Sequence, residues 1–240
     1  MDMNRGLPTH LATDARVAMC AGFLTLAESE TLKRIGSRVS LVEGSPTAAG
    51  LQELMVGLKQ PSASGGVEAL AFGLASQPVE LARALEDVIP LSAEERAAVA
   101  RLKPAELLFH WEDDTRSSAN RGLAIGALAS LPLSREAAGK MRALTATLVK
   151  DHLEGLAERA RSVGYYREAK AIAEDELGEP LLLIYLEMID LHVHERILAY
   201  PDTEFSRWWG PQFMEIVRGN PMARPAASVI RYTLLDKNGA

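Results

Sequence analysis

The longest strongly apolar segment of the chain is Leu181–Tyr200, which lies between Pro180 and Pro201. Proline fits the first turn of an α-helix, and the residue before a proline is pushed away from helical geometry, so this bracketing is typical of helix ends. Inside the segment, large apolar side chains recur every three or four residues, as on one helical face: Leu182, Leu186, Ile189, Val193 and Ile197. The pattern predicts a buried central helix that other helices surround.

The segment is long enough to cross a bilayer, so its charges decide how it is interpreted. Ionisable side chains occupy its second half: Glu187, Asp190, His192, His194, Glu195 and Arg196. Such groups are costly at bilayer depth. We therefore predict that the segment lies in a protein core and does not span a membrane.

The composition favours helices elsewhere in the chain. Only 5% of the 240 residues are aromatic, whereas Ala and Leu are abundant, and sheets usually contain more β-branched and aromatic residues. Helix ends of similar sequence recur near Leu26–Ser29, Leu74–Pro78 and Leu128–Pro132. We therefore predict an all-α protein, a multi-helix array or bundle of antiparallel helical hairpins whose N-terminal part resembles a short α-solenoid.

Capping patterns predict where several helices begin. Ser92 is followed three residues later by Glu95, which is a capping box. Ser134 is expected to cap a long helix that ends at Gly164, and a further helix is predicted over Asp202–Val217.

The predicted helices divide the chain into three parts. Residues 1–11 are expected to form a flexible lead, 12–103 a set of N-terminal helical hairpins, and 104–240 a C-terminal helical bundle. The alternative is that the second and third parts form a single domain.

One group of side chains could carry chemistry. Glu187, Asp190 and His194 lie at positions i, i+3 and i+7, so they share one face of the predicted helix. They could act as acid and base, or hold a divalent metal with His152 from another helix. The alternative is a hydrogen-bonded pair of Asp190 and His194, with Glu187 facing water. His192 and His194 would point apart on a helix and together only on a strand.

A second group could bind a partner. Arg207, Trp208 and Trp209 are adjacent, and tryptophan and arginine are enriched at interface hot spots. Another protein or a second copy of the chain is the predicted partner, unless both rings simply close the core. The formal net charge is −6 and no nucleic-acid-binding module is present, so we do not expect binding to nucleic acid.

The chain has no phosphate-binding glycine loop, nucleophile elbow, paired CxxC or zinc-protease motif. Its single cysteine, Cys20, and an N-terminus without a signal-peptide pattern predict a cytoplasmic protein. The leading functional prediction is a non-enzymatic adaptor or scaffold. The alternatives are a metal-dependent or acid/base enzyme with its site on the 181–200 helix, and a helical ligand-binding regulator.

Overall fold

The computed structural model describes residues 16–41, 51–60, 65–75, 80–113, 125–190, 192–198, 202–217 and 225–233. In these ranges the chain forms an α+β fold with two antiparallel sheets, of five and four strands, and seven helices. The prediction of an all-α array is therefore wrong, and so is the prediction that the two parts of the chain after residue 11 are purely helical. The boundary near residue 103 stays a prediction, and residues 1–11 lie outside the described ranges.

The first half of the chain forms a ferredoxin-like unit. Its elements are β1 (Val17–Leu24), α1 (Leu26–Val39), β2 (Leu51–Leu58), β3 (Val67–Ala75), α2 (Leu81–Val88), α3 (Ala93–Val99) and β4 (Lys103–Pro104). The strands lie in the order β4-β1-β3-β2, which is the arrangement that a β-α-β-β-α-β unit produces.

The second half repeats this topology. Its elements are β5 (Glu106–Glu112), β6 (Ile125–Pro132), α4 (Arg135–Asp151), α5 (Leu153–Val163), β7 (Tyr165–Glu174), β8 (Pro180–Met188), α6 (Val193–Leu198), α7 (Glu204–Ile216) and β9 (Ala227–Thr233). The order β6-β8-β7 in this sheet corresponds to β1-β3-β2 in the other.

The backbone joins the two sheets at two places, and one strand of the second half, β9, lies in the first sheet. The short β4 pairs with β1 at Cys20 and Ala21, and the chain then continues as β5, which pairs with β7 of the second sheet. In the opposite direction, the amide of Ala226 donates to the carbonyl of Leu128 on β6 at 2.7 Å, and β9 then pairs with β2 of the first sheet. The two halves are therefore joined by backbone hydrogen bonds as well as by side chains.

The sheets stack face to face, and helices cover their outer faces. Between the sheets lies an apolar layer that includes Met19, Phe72, Leu128 and Tyr185. A second apolar cluster lies between the first sheet and α1, α2 and α3. A third lies between the second sheet and α4, α5 and α7. We call the second and third of these the N-terminal helix layer and the C-terminal helix layer.

The predicted central helix is instead a strand, a turn and a short helix. Residues Leu181–Met188 of β8 are all buried, because one face meets the other sheet and the opposite face meets the helices. A strand covered on both faces has a continuous apolar run, and any such run contains residues spaced by three and four. None of the helices in the described ranges is long and apolar enough to span a membrane.

The helix starts predicted from capping are present. Ser92 and Glu95 form the predicted capping box of α3, and Ser134 accepts a hydrogen bond from the amide of Ala137 at the start of α4. The long helix breaks at His152 into α4 and α5, and Gly164 ends α5 with φ +91°. The recurring segments Leu26–Ser29 and Leu128–Pro132 lie at the start of α1 and in β6, so the solenoid-like repeat of helix ends is wrong.

Candidate active site

A buried lysine lies in the C-terminal helix layer. Lys170 projects from β7 with 2% of its surface exposed. Its Nζ lies 4.7 Å from the ring centroid of Phe109 on β5, and 5.0 and 5.7 Å from those of Trp209 and Phe213 on α7. The amine is therefore enclosed by aromatic rings from two elements.

A carboxylate accompanies this lysine. Glu168 lies two residues earlier on β7, so both side chains point to the same face of the strand. Its Oε1 contacts the Nζ of Lys170, and Glu168 is 7% exposed. The pair is thus shielded from water, which makes its charge state depend on its protein surroundings.

The electrostatic surroundings disfavour a protonated amine. Burial, together with the positive charge of Arg159 on α5, holds the pKa of Lys170 well below its ordinary value. Arg159 is itself 5% exposed, and its guanidinium carbon lies 6.0 Å from the centroid of the Phe205 ring. Burial also raises the pKa of Tyr165, which the charge of Arg159 opposes. We define the Lys170 cage by Lys170, Glu168, Arg159, Phe109, Trp209 and Phe213.

The sequence of β7 explains why the charges point to the helices. Ala169, Ala171 and Ala173 face the other sheet, where small side chains allow the two sheets to approach. Lys170 and Glu168 occupy the alternate positions and so face α7. On α7, Trp209 and Phe213 are four residues apart, share one helical face and stack at 5.4 Å between ring centroids.

A groove of about 300 Å³ lies beside the cage, between α4 and α7. Its walls include Leu144, Thr147, Trp208, Gln212 and Ile216. Leu144 and Ile216 belong to the same apolar cluster as Phe109 and Trp209. The ring centroid of Trp208 lies 5.9 Å from that of Trp209, so one aromatic layer separates the groove from the cage.

A second polar cluster lies between the sheets, around Arg167. This guanidinium contacts Glu187 of β8 at 2.8 Å, Glu112 of β5 at 3.0 Å, and Glu53 of β2. The hydroxyl of Tyr185 donates to Glu53 as well. Burial opposes the charge of Arg167, but the three carboxylates raise its pKa well above the ordinary value. Because Glu53 belongs to the first sheet, these contacts link the two halves.

The structure places two members of the predicted site, Glu187 and Asp190, in different surroundings. Glu187 lies between the sheets against Arg167, whereas Asp190 follows β8, is 43% exposed and pairs with Arg196 at 3.0 Å. The hydrogen bond from Arg196 lowers the pKa of Asp190, which burial opposes. The backbone of His194 lies in α6, and its side chain is outside the described structure.

The predicted further metal ligand, His152, lies at the break between α4 and α5, where its ring stacks on Trp208 at 3.7 Å. Within the described ranges, no three His, Cys, Asp or Glu side chains form a group that could hold a metal ion. A divalent metal bound through His194 stays a prediction.

The predicted partner-binding group is divided between core and surface. Trp209 is 4% exposed and forms part of the cage, whereas Trp208 is half-buried on the groove wall. Arg207 is exposed and pairs with Asp202 at 2.8 Å. A role for Arg207 and Trp208 in binding a partner stays a prediction.

Sequence reasoning missed the cage. The available signal was Glu168 and Lys170, two charges placed two residues apart within the alternating segment Tyr165–Glu174. On a strand this spacing puts them side by side, but on a helix, which the predicted all-α fold requires, it puts them on nearly opposite faces.

Comparison with known proteins gives matches among solved structures only. No family model matches the chain, and a search of curated proteins found no match. A structure described as "putative monooxygenase" from Lactobacillus acidophilus NCFM has a TM-score of 0.51 and 10% identity, covering 91% of this chain and 97% of that one. This likeness shows a shared fold over nearly the whole chain.

Two further structures match over a similar length. An "anthrone oxidase-like protein" has a TM-score of 0.47 and 13% identity, covering 96% of this chain and 98% of that one. A "putative monooxygenase" from Fusobacterium nucleatum subsp. nucleatum ATCC 25586 has a TM-score of 0.48 and 7% identity, covering 93% and 95%.

These findings overturn the functional predictions made from the sequence. The adaptor or scaffold was inferred from repeated helical hairpins, and the chain instead has an α+β fold with two antiparallel sheets. The enzyme with a site on a 181–200 helix and the helical regulator required one continuous helix there, whereas the segment forms the strand β8, a turn and the short helix α6. All three predictions are wrong in that form.

Proposed function

We propose that the protein is an enzyme of the monooxygenase type whose active site is the Lys170 cage. The observation that carries this proposal is the contact between the Lys170 amine and Glu168 beneath three aromatic rings. Perturbed ionisable groups in an enclosed site are typical of catalytic centres. The fold shared with the Lactobacillus structure supports the reaction class, and the cage supports the location.

The role of Lys170 is that of a general base. Burial and the charge of Arg159 lower the pKa of Lys170, so more of this amine is neutral than in an exposed lysine, and the neutral amine can accept a proton from an acidic hydroxyl on the substrate. Glu168 contacts the same nitrogen and can hold the proton afterwards. The positive charge of Arg159 favours the substrate anion that remains.

The aromatic walls select a flat and electron-rich substrate. Ring stacking and apolar contact with Phe109, Trp209 and Phe213 favour an aromatic molecule. Its deprotonated form is readily oxidised by dioxygen. In the overall reaction one oxygen atom enters the ring as a carbonyl, the other leaves as water, and the substrate supplies all four electrons.

The groove between α4 and α7 is the proposed route of entry. The ring of Trp208 forms part of the groove wall, and it contacts the ring of Trp209, which lies against Lys170. Pro211 lies inside α7 between the two cage residues of that helix, and it cannot donate the backbone hydrogen bond that a helix interior normally has. Local loosening of α7 at this point would let the Trp209 and Phe213 rings separate from the lysine.

Oxygen uptake tests the proposal. We expect the purified protein to consume dioxygen with 1-naphthol, an acidic flat probe, and to form the quinone and water in equal amounts. Lys170→Met should abolish uptake, and Lys59→Met is the matched control because Lys59 also pairs with a glutamate, Glu68, but lies between the sheets. Uptake that is equal in wild type and Lys170→Met, across naphthols and hydroquinones, would contradict the proposal.

We also propose a cytoplasmic location, because a single cysteine, Cys20, excludes an internal disulfide and fits a reducing compartment. Self-association or binding of another protein through Arg207 and Trp208 is a separate proposal. Gel filtration of wild type and Trp208→Ala tests it, and identical elution as monomers would contradict self-association.

A further inference from the structure

We propose that Lys170 is also a covalent site for carbonyl compounds, at which its amine condenses with an aromatic aldehyde to form an imine. This activity uses the same side chain as the proposed oxidation but does not depend on it. It concerns a bond to the protein, whereas the oxidation concerns only proton transfer.

The first support is the enclosure of the amine. A lysine becomes a nucleophile when it is desolvated in an apolar pocket or placed beside another cationic group. Lys170 has both features, because it is 2% exposed beneath Phe109, Trp209 and Phe213, and the charge of Arg159 acts on it.

The second support is the neighbouring acid. In a site shielded from water, transfer of a proton from Lys170 to Glu168 replaces two buried charges with a neutral amine and a neutral carboxylic acid. Burying charges costs several kcal/mol per ion, and the mutual attraction of the two ions repays that cost only when further hydrogen bonds satisfy their remaining donors and acceptors, while the surrounding rings add about 0.5–2 kcal/mol. The contact between the two side chains therefore presents the pair that carbonyl condensation needs.

The chemical steps balance with these groups alone. The nitrogen lone pair of Lys170 forms a bond to the carbonyl carbon, the carbonyl electron pair moves to oxygen, and a proton from nitrogen reaches that oxygen to give a carbinolamine. Glu168 then protonates the hydroxyl, which leaves as water as the C=N bond forms. The proton that remains on the iminium nitrogen returns to Glu168, so one aldehyde gives one imine and one water.

The chain contains a matched lysine for comparison. Lys59 pairs with Glu68 at 3.2 Å and donates to the hydroxyl of Ser130 at 2.9 Å, so it too has a carboxylate partner. Its side chain is 26% exposed, however, against 3% for Lys170. Lys140 and Lys150 are more exposed still, at 51% and 81%, and represent ordinary surface amines.

Reductive trapping tests the proposal on the purified full chain. Benzaldehyde and cyanoborohydride are added at pH 7, and adducts are located by peptide mass mapping over time. We expect Lys170 to be modified at least about tenfold faster than Lys59 or Lys140, because its enclosure disfavours the protonated amine and the contacting Glu168 supplies the acid for loss of water. Glu168→Gln should slow this reaction by roughly 10²-fold, as expected on loss of a positioned acid.

Several outcomes would overturn the proposal. These are modification of Lys170 at the rate of Lys140, no adduct on Lys170 after the surface lysines have reacted, or an unchanged rate of adduct formation at Lys170 in Glu168→Gln. Lys59→Met should retain the Lys170 adduct, and unchanged near-ultraviolet circular dichroism should show that each variant is folded. Oxygen uptake is measured separately, so a chain that traps aldehyde but consumes no oxygen contradicts only the proposed function.

Discussion

The two helix layers of the molecule have the same topology but different contents. In the N-terminal layer, β2 contributes Leu54 and Val56 to the same apolar cluster as Leu32 and Ile35 of α1. In the C-terminal layer, β7 occupies the corresponding place in its sheet and presents Glu168 and Lys170 to α7. Among the described residues up to Pro104, the one buried charged side chain is Glu95, and it caps α3.

The difference separates two uses of one architecture. An apolar layer gains stability from every side chain that it buries, at roughly 25 cal/mol per Å² of apolar surface. A layer that buries a lysine, a glutamate and an arginine gives up part of that gain, and natural proteins usually accept such a loss at functional sites. The first half therefore serves chiefly as a scaffold, and we assign the chemistry to the second half.

Substitution of Lys170 is the most direct test of the difference between the two helix layers. We expect Lys170→Met to lower the rate of naphthol oxidation by about 10²- to 10⁴-fold, which is the usual contribution of a general base. Its free energy of unfolding should also fall, by less than for Arg167→Met, because the substitution leaves one buried carboxylate, Glu168, without its partner rather than three. Leu54→Met, in the other helix layer, is the control and should change the rate little. Loss of rate in both variants would mean that the two layers share one function.

Removal of a buried charge outside the cage should have its main effect on the free energy of unfolding. Arg167 holds three carboxylates from both sheets, so Arg167→Met leaves buried negative charges without their partner. We expect a loss of about 3–5 kcal/mol in the free energy of unfolding, measured by urea denaturation. The exposed pair of Arg142 and Glu106, at 2.7 Å, is the control, and Arg142→Met should cost less than about 1 kcal/mol. Similar losses in both variants would remove Arg167 as the link between the halves.

The sequence predicted the parts of this fold that local interactions determine and missed the parts that depend on tertiary packing. Helix starts at Ser92 and Ser134 were predicted correctly, because capping is a local interaction within one turn. The strands were missed because their burial is a tertiary property. β8 is apolar on both faces, and β7 has alanines at alternate positions so that the two sheets can pack, although alanine is the best helix former.

The site was missed for the same reason. If β7 is interpreted as a helix, Glu168 and Lys170 fall on different faces, and the cage cannot be recognised from the sequence. Its aromatic members come from β5 and α7, which are distant from β7 in sequence, whereas Arg159 lies on α5, directly before β7. Only the pairing of β5 with β7 places Phe109 beside Lys170.

The buried lysine should also give the C-terminal layer its own pH dependence. Burial and Arg159 lower the pKa of Lys170 in the folded state, so between that value and the ordinary lysine pKa the unfolded chain binds more protons. Stability should therefore rise with pH across this window, by at most about 1.4 kcal/mol per pH unit. Urea denaturation from pH 7 to 10 should show a steeper rise for wild type than for Lys170→Met. Parallel curves would mean that Lys170 titrates alike in both states.

The smallest expected effect lies in the N-terminal layer, where the buried charge serves a helix end. The backbone hydrogen bond from Ser92 lowers the pKa of Glu95, an effect that burial opposes. Ser92→Ala should cost about 1 kcal/mol at pH 7 and leave naphthol oxidation unchanged. Because the folded-state pKa of Glu95 is lowered, its contribution is complete above the ordinary glutamate pKa and is lost as pH falls through the lowered value. Glu95→Gln should therefore differ from wild type at pH 7 and converge with it in acid. A change in oxidation rate in either variant would show that the scaffold half takes part in the chemistry.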